Sequence, residues 1–196
     1  MKARPMVARG LFLASVLAVV AMPVRMAFGQ SASRSASELP TGASVVKPSA
    51  FVSLDAVPAG HTFEVAIVAD ILSGYHMNSH KPSEEYLIPT AVTLVPVKGF
   101  REVGSVYPEG QLLKFDFSQD KLSVYSGKVT VRIKLAAELG APLGDATLPF
   151  TLRFQACNAT ACLPPAKVQI PVTVKVVAAD AKAHATHPEI FPQASK

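Results

Sequence analysis

The sequence has no tryptophan, contains only two cysteines in 196 residues, and lacks the short motifs of the common enzyme classes. We find no GxSxG, HExxH, P-loop or Rossmann pattern, so nothing indicates a serine hydrolase, a zinc protease or a nucleotide-binding enzyme. The paired carboxylates Glu84-Glu85 are adjacent, and adjacent side chains on an extended segment point apart. Acid/base catalysis by that pair therefore has little support.

Long hydrophobic runs are also lacking beyond the N-terminal region. The apolar run at residues 10–22 follows Lys2, Arg4 and Arg9, and small residues suited to a cleavage site follow at Ala27 and Gly29. This arrangement is typical of a secretory signal peptide. The run is shorter than the roughly 20 residues that a membrane-spanning helix needs. We therefore predict that residues 1–29 are a signal peptide and that the rest is an exported, periplasmic protein that is not itself a membrane protein after cleavage.

The excess of positive charge lies largely in that predicted signal peptide. Of the 19 basic residues, four lie within residues 1–29, which contain no acidic residue, so 15 basic and 14 acidic residues remain. The sequence pI of about 9.3 therefore describes mainly the segment that is removed. This near-neutral balance indicates binding neither to nucleic acid nor to a charged membrane surface.

Alternating apolar and polar residues predict β-strands at residues 129–135, 147–156 and 168–176. Weaker strand patterns occupy residues 51–57, 62–69 and 91–97, where Pro96 indicates an edge or a bulge. We find no convincing amphipathic helix period. Short strands joined by Gly/Pro turns predict an all-β fold, an immunoglobulin-like antiparallel β-sandwich without the Cys…Trp…Cys core of true immunoglobulin domains.

Composition sets the expected limits of this domain. Residues 30–49 are rich in Ser, Ala and Pro, and residues 178–196 are a mixture of Ala, His and Pro, so both are predicted to be flexible ends. The folded domain is accordingly expected at residues 50–177.

The two cysteines occur together in "FQACNATACLPP", residues 154–165. In an exported protein they are expected to form one disulfide, Cys157–Cys162. The bridge has two interpretations: it either pins a loop or serves as a reagent for thiol exchange. So short a loop contributes only about 2 kcal/mol in the chain-entropy model, against more than about 4 kcal/mol for a bridge between distant strands. Its place between two strands, before the stiff Pro164-Pro165, suits attack by a partner's thiolate.

The segment "RFQACNATACLPP", residues 153–165, resembles the amino-terminal periplasmic domain family of the thiol:disulfide interchange protein DsbD. Residues 74–94, "GYHMNSHKPSEEYLIPTAVTL", and residues 122–133, "LSVYSGKVTVRI", are similar to further segments of that family. The resemblance implies an immunoglobulin-like domain that passes reducing equivalents between protein partners through the Cys157–Cys162 pair. An activity of the protein-disulfide reductase type, without metal or organic cofactor, is the expectation that follows.

The resemblance also implies roles for individual residues. Cys162, followed by Leu163, Pro164 and Pro165, matches the cysteine that forms the mixed disulfide with partners, and Cys157 matches the cysteine that resolves it. Family members shield the pair with a loop that carries an aromatic cap, and the corresponding residues are 111–125, with Phe115 or Phe117 as the cap. The implied partners are exported thiol/disulfide proteins and a membrane electron donor on a separate chain.

Other residues are candidates to flank the site. Tyr75 and His76 follow Gly74 in a segment similar to the family's, and an imidazolium near a cysteine would lower the thiol pKa; the alternative is that both are ordinary loop residues. Asp116 is a candidate proton acceptor if its loop caps the disulfide.

Two rival functions remain open at this point. The chain is also compatible with a non-catalytic immunoglobulin-like binding domain whose disulfide only shapes a contact loop. It is compatible as well with a copper carrier, because His76, Met77 and His80 lie close together in sequence.

Overall fold

The computed structural model describes residues 40–192, so the predicted signal peptide lies outside the described residues. A single helical turn, α1 (Gly42–Val45), precedes the strands. Twelve strands follow in the described region: β1 (Val46–Val52), β2 (Val57–Pro58), β3 (Thr62–Ile71), β4 (His76–Asn78), β5 (Ala91–Leu94), β6 (Phe100–Val106), β7 (Gln111–Leu113), β8 (Leu122–Tyr125), β9 (Lys128–Ala137), β10 (Gly144–Phe154), β11 (Ala156–Cys157) and β12 (Ala166–Val177). Between residues 40 and 192, no helix is long and apolar enough to cross a bilayer.

The strands form three four-stranded sheets within the described residues. Their strand orders are β1-β3-β9-β6, β2-β12-β10-β5 and β11-β4-β8-β7. All neighbouring strands are antiparallel except β2 and β12, which run parallel. The fold is the predicted immunoglobulin-like β-sandwich. The three strongly alternating segments are strands β9, β10 and β12, and β5 ends at Leu94, before Pro96.

The core lies between the first two sheets. It is filled by the inward side chains of the long strands, among them Phe63, Val65, Ile67, Val131, Ile133, Leu135, Leu148, Phe150, Leu152, Phe154, Val172 and Val174. Burying each Val, Leu, Ile or Phe side chain stabilises the fold by about 1.5–3 kcal/mol. β10 and β12 pair along their whole shared length, from Gly144 opposite Val176 to Phe154 opposite Ala166. This rigid hairpin carries the cysteine loop at its end.

The folded domain begins earlier than the sequence predicted. Thr41 and Ser44 form a capping box, in which the Thr41 hydroxyl accepts from the Ser44 amide (3.3 Å) and the Ser44 hydroxyl accepts from the Thr41 amide (3.0 Å). Val45 and Val46 are buried, and β1 pairs with β3 from Val46 onwards. Residues 42–49 therefore belong to the sandwich. The sequence pattern did not predict this, because most of these residues are small or polar and only Val45 and Val46 are buried hydrophobic side chains.

The residues after β12 also pack on the sandwich, although the whole segment 178–196 was predicted to be flexible. We call residues 183–192 the C-terminal strap. Thr186 donates its amide to the Ser53 carbonyl (2.9 Å), Ala185 and Leu54 form an antiparallel bridge, and Phe191 is only 8% exposed. The strap has no alternating pattern because isolated anchors, rather than a continuous face, hold it.

Candidate functional site

The two cysteines form a disulfide at the end of the β10–β12 hairpin. Their Cα atoms are 3.9 Å apart, and the two residues face each other as an antiparallel bridge pair. The four residues between them make a tight turn, in which the Asn158 amide donates to the Ala161 carbonyl (2.9 Å). The Asn158 side-chain oxygen accepts from the Thr160 amide (3.0 Å) and the Ala161 amide (2.9 Å). This Asx-type turn fixes the separation of the cysteines.

Asn158 is not among the predicted site residues, although the sequence carries a signal for it. An asparagine directly after a cysteine in a short loop is the residue type that closes such turns with its own side chain.

The two sulfur-bearing residues differ in their access to solvent. Cys157 lies on β11 and is 1% exposed, whereas Cys162 is exposed. A thiolate from another molecule attacks a disulfide sulfur directly, so access decides which sulfur reacts. Of the two residues, Cys162 is the one that is exposed to solvent.

The chain leaves the disulfide along a fixed path. The Leu163 amide donates to the Ala156 carbonyl (2.8 Å), and the Gln155 side-chain amide donates to the Leu163 carbonyl (3.2 Å). Pro164 and Pro165 follow and are exposed. The predicted stiff exit is therefore held by hydrogen bonds as well as by the two prolines.

A groove of about 800 Å³ lies beside Cys162. One wall is formed by residues 162–167, the opposite wall by residues 40–43, and Tyr75 also lines it. Lys167 is the charged residue among those that line it. At Gly42 an added Cβ would lie 2.7 Å from the Ala166 Cβ, so glycine is required for this close approach of α1 to β12. The exposed residue Cys162 thus lies at the edge of a largely apolar groove.

His76 lies directly beside Cys157. β4 pairs with β11 so that His76 is opposite Cys157 and Met77 is opposite Ala156. The His76 ring is 4% exposed, and its Nε2 atom has no hydrogen-bond partner among residues 40–192. Burial lowers the pKa of His76 to about 4, so the covered ring is neutral at pH 7. A neutral ring carries no positive charge that could lower the thiol pKa, so the imidazolium interpretation of His76 does not apply while the ring is covered.

An aromatic ring covers His76. Phe115 stacks on it with ring centroids 4.0 Å apart and an interplanar angle of 19°. We call residues 114–121 the cap loop. Phe115 is half-buried and packs against a small apolar cluster of Leu87, Leu122 and Val124. Of the two candidate cap residues, Phe115 is thus the inner one, and it lies on the Cys157 side of the disulfide.

The other two candidates on the cap loop lie further out. Phe117 stacks on Phe115 with centroids 5.4 Å apart and is 41% exposed, and Asp116 is exposed. The Lys114 ammonium donates to the carbonyls of Ser118 (2.8 Å) and Gln119, and so closes the loop on itself.

Tyr75 separates two cavities at the site. It is half-buried, and it lines both the groove beside Cys162 and a second cavity of about 450 Å³ next to His76 and Phe115. Gly74 precedes it with a φ of +84°, in the left-handed region that favours glycine, and the Tyr75 amide donates to the Leu72 carbonyl (3.0 Å). This turn places Tyr75 beside the disulfide loop.

The three candidate copper ligands are not brought together. Neighbouring residues on a strand face opposite sides, and Met77 is fully buried in the main core whereas His76 stacks on Phe115. His80 stacks on Tyr107 at 3.6 Å, and its Nδ1 lies 3.0 Å from the Thr90 carbonyl oxygen. In the described part of the chain, no three His, Cys, Asp or Glu side chains are grouped for a metal.

Buried polar residues that the sequence analysis did not identify hold β4 in place. The Thr90 hydroxyl donates to the Asn78 carbonyl (2.6 Å), the Asn78 side-chain amide donates to the Ile88 carbonyl (3.1 Å), and the hydroxyls of Ser79 and Ser123 are 2.8 Å apart. The first two bonds tie the long connection 79–90 to β4, which carries His76, and the third ties it to β8.

Comparison with known proteins identifies one family. Residues 42–174 match the family model described as "Thiol:disulfide interchange protein DsbD, N-terminal". No curated protein matches the chain.

Solved structures give further similarities. The reduced N-terminal domain of Neisseria meningitidis DsbD is 17% identical, with a TM-score of 0.41, over 68% of this chain and 87% of that chain. The N-terminal periplasmic domain of Proteus mirabilis ScsB is 10% identical, with a TM-score of 0.48, over 74% and 50%. A complex between the DsbD and PilB N-terminal domains of N. meningitidis matches at 18% identity and a TM-score of 0.39, over 69% and 87%.

Proposed function

Since the chain belongs to the N-terminal domain family of the thiol:disulfide interchange protein DsbD, we propose that it is a periplasmic module that passes electrons between protein partners through Cys157 and Cys162. The unequal exposure of the two cysteines carries this proposal. Cys162 is open to solvent, whereas Cys157 is buried against it. Cys162 is thus available to a partner, and the buried Cys157 lies next to it, where it can resolve a mixed disulfide.

The exchange proceeds in two steps in either direction. In the reduced module, the Cys162 thiolate attacks one sulfur of a partner's disulfide, which forms a mixed disulfide and releases the partner's other sulfur as a thiolate. The Cys157 thiolate then attacks the Cys162 sulfur and expels the partner's second thiolate. The partner gains two electrons, the module becomes the Cys157–Cys162 disulfide, and solvent supplies the protons. Oxidation of a partner dithiol follows the reverse sequence.

The turn at Asn158 supports the second step. It holds the two cysteines as a facing pair, so that the attack by Cys157 is intramolecular and needs no diffusion of a second molecule. Well-oriented intramolecular reactions reach effective concentrations of at least about 10⁵ M.

The groove beside Cys162 supports a protein partner. A protein bonded to Cys162 must lie along Leu163, Pro164 and Pro165 and over the apolar groove, with Tyr75 on its wall. We propose exported thiol/disulfide proteins as these partners, and a membrane protein on a separate chain as the electron donor. For the chain itself we propose a signal peptide at residues 1–29 and a functional domain that includes residues 40–49 and the C-terminal strap.

Trapping of mixed disulfides in the native envelope tests the roles of the two cysteines. Cys157→Ala should accumulate intermolecular disulfides because nothing resolves them, whereas Cys162→Ala should accumulate none. The double variant Cys157→Ala/Cys162→Ala is the matched control. Accumulation with Cys162→Ala instead of Cys157→Ala would reverse the assignment.

A redox titration against glutathione tests whether the disulfide is a reagent at all. Exchange proteins have potentials of roughly −120 to −270 mV, and structural disulfides lie below about −300 mV. A value in the second range would show that the disulfide is structural. The alternative function, a non-catalytic binding domain, would then apply.

A further inference from the structure

A buried polar atom beside the disulfide lacks a partner: within residues 40–192 nothing bonds to Nε2 of His76. Directly opposite residues of an antiparallel pair point to the same face, with Cβ atoms about 4.5–5.5 Å apart. Because His76 is opposite Cys157, its ring lies on the same face of the sheet as the Cys157 sulfur. Phe115 closes the other side of the ring.

A closed disulfide offers little to a neighbouring imidazole nitrogen. A disulfide sulfur has no hydrogen to donate and accepts hydrogen bonds poorly, whereas a thiol donates a hydrogen and a thiolate is a charged acceptor. A partner for the His76 ring is therefore created when the bridge opens.

We propose that His76 is a positioning residue for Cys157, and that its free ring nitrogen hydrogen-bonds the Cys157 sulfur whenever the disulfide is open. The inference rests on the proposed exchange function. It assigns to a residue of this chain the task of holding the buried sulfur as a thiolate, in place for its attack on Cys162.

The bond agrees with the electron flow at each step. When a partner thiolate attacks Cys162, the S–S bond breaks and its electron pair stays on Cys157, which becomes a thiolate that accepts a hydrogen bond from the imidazole N–H. When Cys157 attacks Cys162 again, those electrons form the new S–S bond and the partner leaves as a thiolate. The ring keeps its proton throughout, so the step requires neutral histidine and no separate acid.

The surroundings leave His76 in this neutral form. Tyr75 is the titratable neighbour along the second cavity, whose other lining residues are Ile71, Leu72, Ser73, Gly74, Phe115, Ser126, Gly127 and Ala159. On the cap loop, the charged residues Lys114 and Asp116 are exposed. Burial alone accounts for the lowered pKa of His76.

The stack with Phe115 supplies a matched substitution. His76→Phe keeps an aromatic ring against Phe115 but removes both nitrogens, and His76→Gln restores a hydrogen-bond donor without the ring. In the Cys162→Ala background Cys157 is the only thiol, and its thiolate absorbs at 240 nm. Titration of that absorbance in the mature protein measures the pKa of Cys157.

We expect His76→Phe to raise the pKa of Cys157 by about 1, which is a tenfold smaller acid dissociation constant of the thiol, and His76→Gln to recover at least half of that change. Equal pKa values in all three proteins would overturn the inference. Should His76→Phe fail to fold, as judged by circular dichroism, His76→Gln against His76→Met makes the same comparison of a donor with no donor. The trapping experiment with Cys157→Ala lacks this sulfur, so its outcome tests the exchange function independently of His76.

Discussion

The cap loop and the C-terminal strap both lie over the sandwich outside the long strands, but they are attached in different ways. The strap is bonded through its backbone: the Asp55 amide donates to the His184 carbonyl (3.0 Å) and the Thr186 amide donates to the Ser53 carbonyl (2.9 Å). The hydrogen bonds of the described cap loop are internal, such as those of the Lys114 ammonium. Its inward contact is the ring of Phe115.

The strap is therefore a fixed part of the fold, whereas the cap loop is able to open. Opening the strap breaks its backbone hydrogen bonds to Ser53 and Asp55 and exposes Phe191, so the strap itself must unfold locally. Opening the cap loop breaks the stack of Phe115 on His76 and the packing of Phe115 against the Leu87 cluster, but no backbone hydrogen bond to the sandwich within the described residues. Segments with few buried contacts open at low free energy. The weakly attached cover lies on the Cys157 side of the disulfide, over His76, whereas Cys162 is exposed beside it.

The largest expected effect is at the anchor of the strap. Phe191→Ala should lower the free energy of unfolding by about 2–3 kcal/mol, somewhat less than a fully buried Phe→Ala change, because the ring lies at the edge of the fold. Urea denaturation measures this change. The rate at which dithiothreitol reduces Cys157–Cys162 should stay the same; an accelerated reduction would show that the strap also controls the site.

At the cap loop we expect a kinetic effect with little loss of stability. An aromatic pair is worth about 0.5–1.5 kcal/mol, so Phe115→Ala should increase the open population, and with it the alkylation rate of Cys157 in the Cys162→Ala protein, by about tenfold. Mass spectrometry of iodoacetamide labelling measures the rate.

The control for the cap is its neighbour. Phe117→Ala should change the labelling rate by less than about threefold. Phe117 stacks on the outer side of Phe115 and is already largely exposed, so its removal takes away little buried contact. A larger effect of Phe117→Ala than of Phe115→Ala would make Phe117 the cap residue.

The pH dependence sharpens the comparison through His76, the buried histidine on the cap side. The pKa of His76 is lowered to about 4 in the fold from an ordinary value of 6.5, so the unfolded chain binds more protons between these values. The free energy of unfolding is therefore at its full value above pH 6.5, as far as His76 is concerned, and it decreases as the pH falls from 6.5 towards 4. We expect a loss of about 1 kcal/mol, less than the full shift would give, because the cap loop can open and hydrate the ring.

Denaturation curves at pH 7 and pH 4.5 measure this loss. His76→Phe should remove that part of the pH dependence, and an unchanged slope in this variant would assign it to other groups.

The smallest effect is expected at the exposed pair on the strap. The pKa of Asp55 is lowered by hydrogen bonds from the His184 backbone amide and side chain. His184→Ala keeps the backbone donor, so the pKa of Asp55 should rise only part of the way to its ordinary value. Carboxyl NMR titration measures it, and a complete return would mean that the backbone bond is lost with the side chain.

Period-two alternation predicted the long strands because one face of each is buried, and β9, β10 and β12 are where the pattern placed them. The short strands β4 and β11 have three and two residues, too few to show a period. The pairing of His76 with Cys157 joins segments far apart in sequence, and no local pattern reports it.

The choice between Phe115 and Phe117 was also beyond local patterns. Residues two apart on an extended segment face the same way, so both rings fit the prediction equally. Packing against His76 and the Leu87 cluster distinguishes them. The strap was missed for a related reason, since a single buried Phe191 gives no repeating signal.

The close contact of Gly42 with Ala166 has a practical consequence for anyone who purifies or immobilises this protein. It fixes Pro40 at the wall of the groove that Cys162 borders. An affinity tag or fluorophore joined directly to Pro40 would emerge within that groove and obstruct the reacting sulfur. A label at the turn between β9 and β10, where Leu139 and Leu143 project into solvent, would avoid that groove.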